Sequence, residues 1–290
     1  PQKLWEATPQ IKSKSNLFEF EKFLSKKFNY KPKKNYKKLF DWTIKNPKLF
    51  WSSIWEFSNI KGIKNDKFHF PKEIIKSKFL VKSKLNYAEN LLSKNDYTKA
   101  ITFISENGFR EEKSWNELNY NTLKLIKFFK DNKIKEKDRI AAYTANQIET
   151  VESFLATSAI GAIWSSCSPD FGIQGVIERF SQIKPKLLII TDRYYYNGKE
   201  INVLDRLPAI LKKIKSIKCV LIVNYPGKKS LKQNQIKGIK IFYYNKLKYK
   251  KEKIYSFKKF DFDKELAILY SSGTTGKPKC ICHRAGGVLL

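Results

Sequence analysis

Histidine is scarce: His69 and His283 are the two in 290 residues. A zinc enzyme or a serine–histidine hydrolase would have to rest on one of them. Cysteine is nearly as rare. Cys167, Cys219, Cys280 and Cys282 have neither the paired spacing of a zinc site nor the framework of a secreted scaffold. Cys280-x-Cys282-His283 has the outline of a metal clip. Residues i and i+2 share one strand face, and the pattern reads as two small buried thiols. Long apolar runs are missing too. The longest uncharged stretch, residues 153–169, is interrupted by Ser, Thr and Gly and falls short of the roughly 20 residues that span a bilayer. The N-terminus lacks the basic-then-apolar pattern of a signal peptide. A cytoplasmic protein without a membrane span is expected. Methionine is absent, and no physical reason for that is evident; Pro1 is compatible with a removed initiator.

Arginine is the other shortage. Six arginines stand beside fifty-two lysines, and the net charge is +31. A nucleic-acid binder would concentrate its charge and use the bidentate arginine fork. Here lysines are scattered from Lys3 to Lys279, with Lys250-Lys251 and Lys258-Lys259 as short clusters. Residues 246–259 interleave Tyr249 and Tyr255 with lysine, a spacing also used for single strands, but no nucleic-acid module accompanies it. A basic nucleic-acid-binding protein is the rival reading from another class; the expectation is no nucleic-acid partner. The positive field would still gather polyanions.

Hydrophobic content of 42% and aromatic content of 14% describe a globular chain with a sizeable core. Residues 1–95 read as a helical extension, with Trp and Phe at helical intervals over Asn16–Phe28 and 36–57. From residue 96 the pattern changes. Residues 100–105 and 109–113 alternate around Glu106-Asn-Gly108, a hairpin signal. Ser114-x-x-Glu117 reads as a capping box that opens a helix through Phe129. Strands are expected at 139–144, 186–191, 219–223 and 241–244, and helices at 148–163, 175–183 and 202–214. Residues 228–241 and 246–259 read as polar loops. Alternating strands and helices predict an α/β fold with a mainly parallel sheet flanked by helices. The aliphatic runs at 187–190 and 220–223 suit strands buried on both faces.

The most informative stretch is Ser271-Ser-Gly-Thr-Thr-Gly-Lys-Pro-Lys279. Two glycines let backbone approach a ligand closely. Ser271, Ser272, Thr274, Thr275 and successive amides can donate to phosphate oxygens, and Lys277 and Lys279 add point charge. Apolar strands are expected on both sides, at 266–270 and 279–283. Two residues separate Gly273 from Gly276, and Pro278 follows Lys277. The loop that opens a helix after Gly-Lys has four residues there and Ser/Thr next, so this loop is different.

Residues 271–279 resemble the phosphate loop of the adenylate-forming enzymes. Other stretches narrow the resemblance to their acyl-CoA synthetases, and among these to the acetoacetyl-CoA synthetase group. They are Asp41-Trp-Thr-Ile-Lys-Asn-Pro47, Lys84-Leu-Asn-Tyr-Ala-Glu-Asn-Leu-Leu92, Trp164-Ser-Ser-Cys-Ser-Pro-Asp-Phe-Gly172, Tyr195-Tyr-Asn-Gly-Lys199 and Pro278-Lys-Cys-Ile-Cys-His-Arg-Ala-Gly-Gly287. The resemblance covers about residues 4–290. It departs at Lys82-Ser83 and at Arg284, away from the loop. It implies that residues 96–290 form the first part of an AMP-binding domain. ATP, Mg²⁺, CoA and acetoacetate would be the small-molecule substrates. The implied products are acetoacetyl-CoA, AMP and pyrophosphate; an acetyl- or propionyl-CoA synthetase is the alternative. Gly273, Thr274, Thr275, Gly276 and Lys277 would contact the β- and γ-phosphates, with Ser271, Ser272 and Lys279 in support. Arg193 and Lys199 are the candidates for CoA phosphate. The resemblance places the adenine-stacking segment, the ribose aspartate and the catalytic lysine past Leu290. The apolar final run, 285–290, begins a helix and is expected to mark a fragment; no catalytic residue is assigned within it.

Overall fold

The structure is a computed structural model and describes residues 4–28, 30–31, 35–250, 255–271 and 276–290. Two compact units divide the chain, Pro1–Ser83 and Lys84–Leu289.

The first unit is helical as far as Phe57. Its helices are Pro9–Ser13, Asn16–Phe28, Tyr36–Lys45 and Pro47–Phe57. The continuous pattern expected over 36–57 is broken at Asn46, because the residue before a proline is pushed out of the helical region and Pro47 then starts a new helix at its first position. Phe20, Leu24, Tyr30 and Leu39 form the core, with Trp42, Phe50 and Phe57 packed against it. Phe20 meets Phe57 edge-on, ring centres 5.1 Å apart. The aromatic stripe is therefore packing. Residues 58–83 carry no α-helix, which narrows the helical reading of the N-terminal region.

The second unit is built on a seven-stranded sheet. Its strands are β1 (Arg139–Tyr143), β2 (Ile163–Cys167), β3 (Leu187–Thr191), β4 (Cys219–Val223), β5 (Lys240–Tyr243), β6 (Glu265–Ser271) and β7 (Lys279–Arg284). Their order is β5-β4-β3-β1-β2-β6-β7. Neighbours run parallel except β6 and β7, which form an antiparallel hairpin. Every residue of β3 and β4 is buried, as expected of strands covered on both faces. Ala141, Tyr143, Leu188, Ile190, Val220 and Ile222 share one apolar cluster with Val176, Phe180, Leu207 and Ile210. Helices Ile173–Ile183 and Leu207–Lys213 therefore cover that face. From β1 the chain steps to β2 on one side, and from β2 it crosses back to β3 on the other. Right-handed crossovers then put helix Ile148–Ala159 on the opposite face.

Local signals explain the element ends. Ser114 and Glu117 form the capping box of helix Trp115–Asp131: the Ser114 amide donates to Glu117 Oε2 at 2.8 Å, and the Glu117 amide donates to Ser114 Oγ at 3.3 Å. Strands Lys99–Ile104 and Arg110–Ser114 pair antiparallel around Gly108 at φ +79°, the conformation such turns require. The helix expected over 148–163 ends at Ala159. Gly161 turns the chain at φ +71°, and a Cβ there would meet the Phe260 ring at 2.5 Å. Residues 163–167 are then strand β2, which sequence periodicity did not separate from the apolar helix before it.

Asn86 explains the Lys84–Leu92 motif. Its Oδ1 caps helix Tyr87–Leu91 by accepting from the Glu89 amide at 3.3 Å. Its Nδ2 donates to the carbonyls of Ala159 at 3.0 Å and Lys258 at 2.8 Å. One buried side chain thus ties three segments together. A charged cluster is also buried in this unit. Glu152, with no exposed surface, lies 3.5 Å from Lys113 Nζ. It also accepts from Asn121 Nδ2 at 2.9 Å and from the Tyr244 hydroxyl.

Candidate functional site

In parallel sheets, ligands gather outside the carboxyl ends of the strands, where loops and helix starts expose polar backbone. Three candidate segments leave the sheet at this edge. β6 ends at Ser271 and leads into the 271–279 loop. β2, its parallel neighbour, ends at Cys167 and leads into Ser168-Pro-Asp-Phe-Gly172. β3 ends at Thr191 and leads into the Arg193–Lys199 turn.

The loop is closed by its last strand pair, Ser271 opposite Lys279. It is thus the tip of a hairpin, as the flanking apolar runs imply. Ser272, Gly273, Thr274 and Thr275 lie outside the described residues, so their contacts form no part of the geometry. Gly276 has φ +96° with open space around its Cα; its backbone, not crowding, demands glycine. Lys277 and Lys279 are exposed, and Ser271 is half-buried. Pro278 is buried, and its carbonyl accepts from Gln182 Nε2 at 2.9 Å. The chain therefore leaves the loop through an anchored exit at Pro278, with the exposed Lys277 just before it.

The strand feeding the loop is held by its neighbour. Ser165 Oγ donates to the Ile268 carbonyl at 2.8 Å and shares a hydrogen bond of 2.9 Å with the Tyr270 hydroxyl. Burial pushes the Tyr270 phenol above its usual pKa, so it remains a neutral hydrogen-bonding group. The Arg179 guanidinium lies 4.2 Å from the centre of the Phe171 ring and 5.9 Å from that of Tyr270.

The turn after β2 is clamped from below. Tyr143 OH sits 3.1 Å from the Pro169 carbonyl. Arg206 Nη1 donates to the same carbonyl at 2.7 Å, to that of Phe171 at 3.2 Å, and to Tyr143 OH. Burial raises the Tyr143 pKa, with Arg206 opposing it. Residues 164–172 thus flank the strand that leads to the loop: Trp164 pairs with Ala267 and Ser165 bonds to Ile268 and Tyr270 of β6, and the turn's Pro169 and Phe171 carbonyls are held by Arg206.

Arg193 and Lys199 sit in a second hairpin, Arg193–Tyr196 paired with Lys199–Asn202. They differ sharply. Arg193 is buried; it donates to Glu200 Oε1 at 2.7 Å and to the Lys229 carbonyl at 2.8 Å, and lies 3.5 Å from Asp192. Its Nε has no partner among the described residues. Asp192 in turn accepts from the Tyr225 and Leu231 amides at 2.8 and 2.9 Å, which holds the polar 224–231 loop in place. Lys199 is exposed and is the accessible cation of the two. β1 and β2 lie between β3 and β6, so three strand spacings, about 14 Å, separate the two segments.

The sequence marks 271–279 as a loop between two strands, which the pairing of β6 with β7 matches, and 193–199 only as a turn, whose flanking strands it does not show. Sequence reasoning did not find Gln182, Ser165, Tyr143, Tyr270 or Arg206, because nothing local marks a side chain that bonds to a distant backbone. A further expectation is overturned here. Cys280 and Cys282 are exposed, not buried; among the described residues β7 pairs on one side only, with β6. Among the described residues no group of three or more His, Cys, Asp or Glu converges on a metal position, and no helix is long and apolar enough to cross a membrane.

The AMP-binding enzyme family matches residues 93–289. The chain is 35% identical over 295 aligned residues to an acetoacetyl-coenzyme A synthetase of Rhizobium meliloti (strain 1021), a match covering 99% of this chain and 44% of that protein. It is 36% identical to an acetoacetyl-CoA synthetase of Gallus gallus, covering 88% of this chain and 40% of that one. Among solved structures it superposes on acetoacetyl-CoA synthetase from Streptomyces lividans with a TM-score of 0.88 and 26% identity, over 99% of this chain and 44% of that one. The chain thus spans less than half the length of the relatives it matches. A family match over residues 93–289, with the loop hairpin at the carboxyl edge of an α/β sheet, establishes that this chain belongs to the AMP-binding enzymes.

Proposed function

We propose that the protein carrying this chain activates acetoacetate with ATP and transfers the acyl group to CoA. In the first step a carboxylate oxygen of acetoacetate attacks the α-phosphorus of MgATP. The bond to the β-phosphate oxygen breaks, and acetoacetyl-AMP and pyrophosphate form. In the second step the CoA sulfur attacks the acyl carbon, AMP leaves, and the thiol proton passes to solvent.

The first step demands in-line placement of a polyanion and neutralisation of charge that leaves with pyrophosphate. The 271–279 hairpin suits that demand. We assign Gly273, Thr274, Thr275, Gly276 and Lys277 to the β- and γ-phosphates, with Ser271, Ser272 and Lys279 in support. The bond from Gln182 to the Pro278 carbonyl fixes the exit of this stretch, which supports the assignment of Lys277 just before it. Mg²⁺ is read as arriving on the phosphates, as it commonly does. Lys199 is the better-exposed candidate for a CoA phosphate; Arg193 supports the hairpin beneath it.

The observation that carries the acyl assignment is residues 164–172. This segment carries the wording shared with the acetoacetyl-CoA synthetases, and it packs directly on the strand that delivers the loop, through Ser165 and Tyr270. A malonamoyl-CoA synthetase of Penicillium aethiopicum is also similar, 29% identical over 95% of this chain. Malonamate and acetoacetate both carry a carbonyl β to the carboxylate. A β-carbonyl acid is therefore the substrate class, with acetoacetate preferred.

Pyrophosphate release by the protein that carries this chain tests the reading, with acetoacetate, malonamate, acetate and propionate compared. Acetoacetate should give the highest kcat/KM. Equal or faster release with acetate or propionate would refute the acyl assignment, and no release with any acid would refute the reaction.

A further inference from the structure

Arg206 stands where three segments meet at the carboxyl edge of the sheet. β1 ends at Tyr143. On one side of it β2 leads into the 168–172 turn, and on the other β3 leads into the Arg193–Asn202 hairpin. The chain returns from that hairpin through a single helical turn, Leu204–Arg206. Leu204 and Leu207 are both buried in the apolar cluster of the sheet, so the backbone is pinned on either side of Arg206.

From this fixed base the guanidinium reaches back over the end of β1. Nη1 donates to the Pro169 carbonyl at 2.7 Å, to the Phe171 carbonyl at 3.2 Å and to the Tyr143 hydroxyl. The Tyr194 hydroxyl, from the first strand of the hairpin, bonds to the same guanidinium. Two carbonyl oxygens of one turn that converge on one point repel each other unless a donor lies between them, and a charged donor holds them more strongly than a neutral one. A planar fork can serve the turn, β1 and the hairpin together; a lysine ammonium presents a single point charge on a flexible stem.

The base of the hairpin is tied off beside it. The Val203 amide donates to the Asp192 carbonyl at 2.9 Å, and the Leu204 amide to Asn202 Oδ1 at 3.0 Å. The hairpin thus closes on itself at its base, and Arg206 carries the link from that base to the 168–172 turn. We propose that Arg206 is a positioning residue for thioester formation: it sets where the hairpin, and with it Lys199, stands relative to the turn that follows β2. The inference rests on the reading that Lys199 meets a phosphate of CoA. Arg206 acts through the hairpin and need not touch a substrate. Its effect should therefore depend on the thiol acceptor. CoA brings phosphates for Lys199 to meet, whereas pantetheine has the same thiol arm and no phosphate.

The test uses the whole protein that carries this chain, with acetoacetyl-AMP formed first and thioester formation then followed with CoA and with pantetheine. The parent should prefer CoA. Arg206→Met should lower that preference, the ratio of the two kcat/KM values, by at least about tenfold. Arg206→Lys should recover part of the loss, since it keeps the charge without the fork. Tyr194→Phe keeps the buried ring and cuts only the hairpin's bond to Arg206. It should lower the preference by about threefold, and it carries the test if Arg206→Met fails to fold. A merely structural role would slow both acceptors alike and leave the ratio in place. An unchanged ratio in Arg206→Met and Tyr194→Phe, beside a parent that prefers CoA, would overturn this inference alone. A parent that uses pantetheine as well as CoA would overturn the phosphate assignment of Lys199, and this inference with it.

Discussion

Gln182 and Pro278 are joined by a 2.9 Å hydrogen bond from side-chain amide to backbone carbonyl. It ties the end of helix Ile173–Ile183 to the exit of the 271–279 loop, across 96 residues of sequence. Gln182 is itself exposed, so the bond contributes little to the core and much to where the loop leaves its hairpin. Gln182→Leu removes the bond to Pro278, about 1 kcal/mol net, together with the bond to the Glu178 carbonyl within the same helix and the contact with Cys280. The expected result is a rise of about fivefold in KM for ATP in pyrophosphate release, with kcat and the thermal melt nearly unchanged. An unaltered KM would mean that the exit needs no fixing.

Lys277 tests the loop more directly. It is exposed and follows Gly276, the residue whose positive φ turns the backbone. Losing one donor aimed at developing charge costs about 10²–10³-fold in rate, roughly 3–4 kcal/mol. A solvated surface lysine is worth well under about 1 kcal/mol. Lys277→Ala should therefore slow single-turnover adenylate formation by two to three orders of magnitude and leave the melting temperature in place. Near-normal adenylation, or loss by unfolding alone, would remove the loop from the mechanism.

Most local signals were readable. Helix Asn16–Phe28 and strand Cys219–Val223 fall on their expected residues, and the Ser114 capping box and Gly108 turn needed no tertiary information. One misreading was local, the break at Asn46 before Pro47; others came where a neighbour decides. β2 was merged with the helix before it, since both are apolar and the break at Gly161 is set by the Phe260 ring. The strand pattern reads Cys280 and Cys282 as buried, yet burial of a strand depends on whether another element lies beside it. The 271–279 stretch was legible as a loop between two strands because its Gly, Ser and Thr interrupt two apolar runs that pair on either side of it. Its supports, Gln182, Ser165 and Arg206, were not, because they act by bonding to distant carbonyls that any residue could supply.

The buried Glu152 cluster gives a prediction about stability. Burial pushes the Glu152 carboxyl above its usual pKa, with Lys113 opposing it. Burial also works against the charge on Lys113, but the carboxylates of Glu152, Glu149 and Glu111 outweigh it and hold that pKa above the ordinary lysine value. Removing one partner of a buried pair costs about 3–5 kcal/mol, because the other charge stays buried alone. Lys113→Met should show a loss of that size in urea unfolding. Lys113→Met combined with Glu152→Gln should recover more than half of it, since the neutral amide keeps its bonds to Asn121 and Tyr244 at lower desolvation cost. Additive losses in the double variant would show that the two side chains act independently.

Alkaline pH should expose two buried thiols. Cys167 at the end of β2 and Cys219 at the start of β4 are each 5% exposed, and burial pushes both up to about 12. An unfolded thiol loses its proton near pH 8.5. The sign follows from which state releases protons first. Below about pH 8.5 both states hold the proton and the thiols contribute no pH dependence. Between that value and about 12 the unfolded chain ionises while the folded one does not, so stability falls as pH rises. At pH 10.5 the unfolded thiol lies about two units above its pKa, which corresponds to roughly 2–3 kcal/mol lost for each thiol. Cys219→Ala leaves a small cavity and lowers stability at every pH, but it abolishes one of the two titrations. The lysines, which also titrate in this range, are common to both proteins and cancel in the comparison. Urea unfolding of both proteins at pH 7.5 and 10.5 should show the parent losing roughly 2–3 kcal/mol more than Cys219→Ala over that interval. Equal losses would mean that water reaches Cys219 in the folded protein, and that β4 opens at its amino end far more readily than its fully buried side chains imply.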